Sequence, residues 1–405
     1  MTQGIISTNQ LNDQLVARSF AQAVMRYMPA GTAPLFGLTS MLKTEIATQT
    51  NHGYFSKTMV FPGFTLAADI TATDTVIPVV STVNLIEGQI HELPLSTEQV
   101  IIDNIISATA IRVTRAIGTS PAVAATSGDN AYQVGAAFEE GSVRPTALSI
   151  ATLPLSNFTQ IFRNSWAVTD TARATLTVAG EGTVAESKMD ATAFHAKDIE
   201  TALIFGQKFI GNRKGMPFRK MEGLIPAISN ITYYPSSFST PNVNVAGSTT
   251  TFNQLESYLD PSFNQATDPK IANQRLLFVG GTAKRVLTNI GRLSGVYQMM
   301  QGQTEWGMQF DKFKTSRGNF TVIEHPLFNS NPYWNKMALS VDMSTFNIAY
   351  LGDRKTQHKM FNTSGEIASD NGIDAIGGTF TTELTCLVKN PPANSVIYNL
   401  TAAAA

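Results

Sequence analysis

Apolar positions along this chain follow two periods. From Gly378 to Val388 they alternate, placing Phe380, Thr382, Leu384, Cys386 and Val388 on one face, which predicts one long strand. Pro391-Pro392 stops it, because proline has no N–H to give a ladder. Between about Val184 and Gln207 the period is helical. Met189, Ala193, Ala196, Ile199 and Leu203 share a stripe, while Glu186, Lys188, Asp190, Lys197, Asp198 and Glu200 lie largely off it. That span predicts a rod of roughly 36 Å, ended by Gly206 and Gly211.

Upstream, Leu11, Leu15, Phe20, Val24, Tyr27 and Met28 predict a short amphipathic helix ended by Pro29-Ala30-Gly31. The apolar stretch Gly31–Ser40 that follows reads as irregular. Its Leu35, Phe36 and Leu38 need covering, either by their own domain or by a neighbouring subunit. From Ser56 to Ala147, β-branched runs (Thr75 to Val80, Val100 to Ile106, Ala110 to Thr114) alternate with Gly and Asp-Asn turns and predict a small all-β unit. From Gly223 to Ser369 the pattern is mixed. Thr251 to Gln254 forms a capping box opening a helix through Tyr258. A strand from Arg275 to Gly280 leads into a helix from Thr282 to about Ile290, and further strands are expected at Asn319–Glu324, Met337–Val341 and Phe346–Leu351.

Composition narrows the class. A chain of 405 residues suggests two or three packed units. Charged residues are 15%, against a usual share of about a quarter. The deficit suits a surface rich in strand, turn and subunit contact. The net charge of −1 gives no whole-chain argument for nucleic acid or anionic membrane. One cysteine excludes an intrachain disulfide framework. The polar N-terminus lacks signal-peptide regions, and the longest charge-free run, Gly223 to Leu255, is too rich in Ser, Thr, Asn and Pro to span a bilayer. A soluble, intracellularly folded protein is expected.

Charge is unevenly spread. Asp69 to Pro145 holds nine acidic residues, Glu139 and Glu140 among them, against three arginines. Lys208, Arg213, Lys214, Arg219 and Lys220 form a cluster without an acid. That cluster has three readings: a solvated loop after the helix, a surface for packaged DNA, or a surface for the acidic segment of a neighbouring copy.

No catalytic signature emerges. His91-Glu92 begins like a zinc-protease helix, but Pro94 breaks it, and His52, His91, His195, His325 and His358 are scattered. Gly280-Gly281-Thr282-Ala283-Lys284 sits where a phosphate loop would, without the required spacing, and reads as a tight strand-to-helix turn. Asp370 to Asp374 reads as a hairpin turn, Met299-Met300 as core or interface filler, and Cys386 as a packed thiol. No metal, cofactor or catalytic residue is assigned.

Several segments together resemble a known family. Gly31–Ser40 resembles the N-terminal arm of tailed-bacteriophage capsid proteins of the podophage SU-ten type. Arg112-Val113-Thr114-Arg115, the Gly118-Thr119 and Gly128-Asp129 turns and Phe138-Glu139-Glu140-Gly141 resemble the β insertion on their extended loop. Asn157 to Arg173, the helix near Asp198-Ile199-Glu200, and Thr379 to Leu400 complete a collinear match over nearly the whole chain. The resemblance implies an α+β tailed-phage major capsid fold in five parts. These are an arm (1–55), an extended loop with inserted β domain (56–147), a peripheral domain with a spine helix (148–222, the helix at about 184–207), an axial domain (223–370), and a returning peripheral strand with the C-terminus (371–405). It also implies a structural, non-enzymatic subunit that forms hexamers and pentamers of an icosahedral virion shell around double-stranded DNA. Assembly in the host cytoplasm, a portal, scaffolding or cement proteins as partners, and no membrane belong to the same implication. Candidate subunit contacts are Leu35, Phe36, Leu38, Glu139, Glu140, Lys208, Arg213, Lys214, Arg219 and Lys220. An encapsulating cellular compartment and a soluble α/β enzyme with a β appendage remain the alternatives.

Overall fold

A computed structural model of the chain describes residues 34–41, 44–57, 62–93, 97–147, 152–175, 182–234, 240–264, 273–294, 304–305, 308–309, 311–361 and 375–404. The chain divides into two compact units. One spans Phe55–Leu153, and the other combines residues 1–54 with Pro154–Ala405.

The Phe55–Leu153 unit is a six-stranded antiparallel sheet. Its strands are β3 (Gly63–Thr65), β4 (Val76–Pro78), β5 (Gln89–Glu92), β6 (Gln99–Ser107), β7 (Ala110–Thr114) and β8 (Asn130–Ala136), ordered β3-β8-β5-β6-β7-β4. Alternation decides its core. Val100 and Ile102 of β6, Ile111 and Val113 of β7, and Ile77 of β4 turn inward with Phe64, Leu66 and Leu93, while their neighbours face out. A buried ion pair fastens the loop after β7: Arg115 bonds both oxygens of Glu98, at 2.9 and 2.7 Å, and Glu98 also accepts from Val123 N–H at 3.0 Å.

The other unit holds two larger sheets. In the first, β1 (Glu45–Ala47) lies parallel to β20 (Phe346–Leu351), and β20 pairs with β22 (Ala375–Val388), which pairs with β10 (Gln160–Thr169). β21 (Gln357–Phe361) joins β22 beyond the end of β20. The long terminal strand expected from sequence is β22, paired on both sides. From Thr382 to Val388 every residue is buried, so two-faced burial replaces the alternation read there. A ribbon of β2 (Asn51–Ser56) and β9 (Leu153–Phe158) stands beside it in sequence.

The second sheet runs β13 (Val243–Val245), β23 (Ser395–Tyr398), β19 (Ala338–Val341), β14 (Gln274–Val279), β18 (Asn319–Glu324), β17 (Asp311–Lys314). Short pairs β11 (Phe209–Arg213) with β12 (Met216–Lys220) and β15 (Thr304–Glu305) with β16 (Met308–Gln309) complete the strands. Within the expected returning segment 371–405, β22 and β23 therefore join different sheets. A helical turn at Pro391–Ala393 carries the chain from β22 into the middle of the second sheet, where Val396 and Ile397 join its core.

Seven helices among the described residues pack on these sheets: α1 (Pro34–Met41), α2 (Asp170–Ala174), α3 (Thr183–Phe205), α4 (Leu224–Ser229), α5 (Phe252–Leu259), α6 (Gly281–Ser294) and α7 (Pro326–Asn329). α5 opens with the capping box read from Thr251 and Gln254. At the β14–α6 turn a Cβ on Gly280 would lie 2.4 Å from the backbone of Asn335, so only glycine fits. The first N–H groups of α6 are taken by Asn329 and Asn335 side chains, at 2.7 Å each, which leaves a tight turn and no anion cradle.

α3 is the long helix expected, but its buried face differs. Met189 is 48% exposed, whereas His195 and Glu200, both polar, are buried beside Ile199 and Leu203. The Gly31–Ser40 stretch also differs, because from Pro34 it is the helix α1. Leu35 is fully buried in the core of its own chain, with Phe36 and Leu38 packed partly against it. The helix at Leu11–Met28, Met299-Met300 and the Asp370–Asp374 turn lie outside the described residues.

Candidate functional site

Chemistry-bearing side chains are spread through the fold and serve packing. Among the described residues no three His, Cys, Asp or Glu side chains come close enough to hold a metal ion. No helix among them is long and apolar enough to cross a membrane. Cys386 is buried, its Sγ donating to the Glu222 carbonyl at 2.8 Å; burial, with the nearby Glu222 charge, pushes the thiol up to about 12. His195 bonds Asn164 at one ring nitrogen and Thr382 at the other, at 2.7 Å each, which ties α3 to β10 and β22. Burial holds His195 below the usual imidazole range, partly offset by Asp198. His91 on β5 is enclosed with neither ring nitrogen in a well-formed hydrogen bond, the Gln89 backbone being the polar neighbour that favours the charged ring, and its ring stands 5.1 Å from that of Phe64. Burial lowers it to about 4.

Glu200 is a buried carboxylate with partners on two other segments. Its carboxylate accepts from Leu35 N–H at 2.9 Å and Phe36 N–H at 2.7 Å, and it meets His325 Nε2 at 2.7 Å. The carboxylate caps the first turn of α1, where free N–H groups and the helix dipole favour negative charge. Local sequence around Gly31–Ser40 holds no such cap, which is why that stretch reads as irregular.

The basic cluster is not a loop but the β11–β12 hairpin. Lys214 and Gly215 both have positive φ, 52° and 75°, as a two-residue hairpin turn requires. Lysine in place of the usual Asn or Asp hid this signal. Its charges have separate fates. Lys208 Nζ bonds the Ser156 carbonyl and lies over the Phe158 ring, Arg219 reaches buried Glu383 at 3.8 Å, and Arg213 and Lys214 are exposed at the tip with Lys220 half-buried nearer the base. Phe209, Ile210 and Met216 of the same hairpin are also exposed.

Glu139 and Glu140 sit on a turn closed by Ser142 N–H to the Glu139 carbonyl at 3.1 Å, with Gly141 at φ 76°. Both carboxylates are exposed. Phe138 rests against Gly88, where a Cβ would stand 2.4 Å from the ring. Val143, at 88% exposed, has no cover.

A second basic surface escaped sequence reading. On the first sheet Arg163 of β10 pairs in register with Thr381 of β22, and Thr381 with Gln357 of β21. This register and the β20–β21 turn gather Arg163, Arg354, Lys355 and Lys359 around a recess of about 640 Å³ floored by Thr379 and Thr381. Strand pairing brings residues nearly two hundred positions apart together, and no local motif announces it.

The SU10 major capsid protein family matches residues 4–401. The major capsid protein of Pseudomonas phage PaMx41 is 33% identical over 407 residues, covering 98% of this chain and 96% of the relative. Among solved structures, the capsid of an empty GTA particle aligns over 98% of both chains with a TM-score of 0.49 and 8% identity. A structure from Mycobacterium phage Adephagia aligns over 99% of both with a TM-score of 0.47 and 11% identity.

Proposed function

The chain belongs to the SU10 major capsid protein family, and from that premise we propose that copies of it, as hexamers and pentamers, close an icosahedral shell around double-stranded DNA. Its role is structural. The observation that carries this reading is the extent of the family match, which runs through both compact units from residue 4 to 401. The match supports reading the β unit as part of the body of the family rather than as an appendage on an enzyme.

In this reading the Phe55–Leu153 unit is the insertion on the extended loop. α3 with the β10–β22 sheet is the peripheral domain, and the β13–β17 sheet is the axial domain, completed by β23. Assembly in the host cytoplasm, a portal, scaffolding or cement proteins, and packaged DNA as a non-specific contact belong to the same proposal. Register between copies comes from opposite charge: an acidic β unit of one copy against a basic surface of the next. Apolar groups left bare on one chain, Val143, Phe209, Ile210 and Met216, are surfaces that neighbours would cover.

Negative-stain imaging of the purified protein tests this. Rings and closed shells are expected. Small discrete particles at every protein concentration would contradict it.

A further inference from the structure

We infer that the recess ringed by Arg163, Arg354, Lys355 and Lys359 is the seat for the Glu139-Glu140 turn of a second copy of this chain. The inference rests on the shell-forming reading and goes further by naming both sides of one contact.

The recess is built for an anion. None of the residues lining it is acidic. Buried Glu383, nearby on β22, is already engaged: Arg354 lies 2.8 Å away, Arg219 lies 3.8 Å away, and Thr159 Oγ1 donates to it at 2.9 Å. Among the described residues, Arg163, Lys355 and Lys359 have no carboxylate within ion-pair distance, so three cations face the recess uncompensated. Between them Thr381 offers a hydroxyl, that of Thr379 being shared with Ser165 Oγ at 3.1 Å, and Ile161 and Met360, each nearly half exposed, supply an apolar patch.

The occupant is chosen by shape and composition. The Glu139–Ser142 turn offers two adjacent carboxylates on a preformed bend, with exposed Phe138 and Val143 flanking them. Carboxylates meet the cations, and the flanking apolar groups meet Ile161 and Met360. The turn's own unit, Phe55–Leu153, carries nine acidic side chains against four basic ones, so its approach to a basic surface is favoured before contact. Duplex DNA spreads its charge along a rod and suits an extended basic track. A recess with cations converging on a few hydroxyls suits a compact turn.

The test is inter-subunit disulfide trapping, made clean by the burial of Cys386, the only native cysteine. Glu139→Cys and Lys359→Cys are introduced singly into two chains that are co-assembled, and together into one chain. All four native side chains, Glu139, Glu140, Arg163 and Lys359, are exposed, so the variants retain the fold, which melting curves verify. Under mild oxidant, assembled particles of the mixed single variants should give crosslinked dimers, and the double variant should give a ladder of higher multimers. Dissociated subunits should give neither. Glu139→Lys with Glu140→Lys should slow assembly at low salt at least fivefold, and Arg163→Glu with Lys359→Glu should restore it.

Particles that form normally but yield no crosslink would overturn the seat while leaving the shell reading intact. An intrachain disulfide in dissociated subunits would also overturn it. If Arg163→Glu with Lys359→Glu leaves shell formation unchanged and removes only DNA retention, the recess serves nucleic acid and the inference is wrong.

Discussion

Glu200 on α3 and His325 just after β18 lie 2.7 Å apart, both buried, and join the helix packed on the first sheet to an interior strand of the second. His325 Nδ1 accepts from Leu327 N–H at 3.3 Å, so the ring proton sits on Nε2 and donates to the carboxylate. The same carboxylate caps α1. One side chain thus holds three segments that lie far apart in sequence.

Removing it should release α1. Glu200→Ala takes a shared carboxylate away from two N–H groups and a buried histidine, a loss of roughly 3–5 kcal/mol. Denaturant melts of dissociated subunits would measure it. Limited proteolysis supplies a second readout: residues 34–41 should resist cleavage in lone wild-type subunits and be cut early in the variant. Early cleavage of the wild type in that window would show that α1 depends on a neighbour.

The β unit should answer to its own buried pair. Glu98 is inaccessible and Arg115 nearly so. Burial works to raise the Glu98 carboxyl, and Arg115 together with the Val123 and Ala116 N–H groups outweighs it, leaving the group below the usual range. Arg115→Ala removes the counter-charge from the buried carboxylate, and a cost of about 3 kcal/mol or more is expected, confined to hydrogen exchange in β3–β8.

His91 gives that unit an acid limit. Its proton affinity is lower folded, about 4, than in an unfolded chain near 6.5, so the unfolded state binds more protons between these values. Stability from the neutral ring is complete above about pH 6.5 and is lost as pH falls toward 4, by roughly 3 kcal/mol. His91→Phe should flatten the pH dependence of unfolding of β3–β8 in this window. An unchanged pH profile would show that the ring is hydrated or bonded in solution.

Cys386 should label slowly. A thiol pushed up to about 12 and sealed in the core is almost wholly un-ionised at neutral pH. Native protein should react with a thiol reagent only as fast as it unfolds, and denatured protein at once. Rapid native labelling would contradict the packing of β22.

Legibility in the sequence followed the range of the interactions. The capping box at Thr251, the strand at Phe346–Leu351 and the length of α3 depend on neighbours a few residues apart, and each is found where local pattern placed it. α1 depends on a carboxylate 165 residues away, and the buried face of α3 on polar partners supplied by β10, β18 and β22. Hydrophobic periodicity cannot register a buried histidine or glutamate whose partners come from another sheet. The Arg163–Lys359 recess is a product of register, and the Lys214 turn lacks its usual residues, so both stayed hidden.

Electron cryomicroscopy of the particles formed by the purified chain is the most direct measurement. An icosahedral shell is expected, with five-fold and six-fold capsomers built from single copies of this chain and each Glu139-Glu140 turn against the Arg163–Lys359 face of a neighbour. A shell-free population of small oligomers, stable across salt and concentration, would contradict the assignment of this chain as the wall of the capsid.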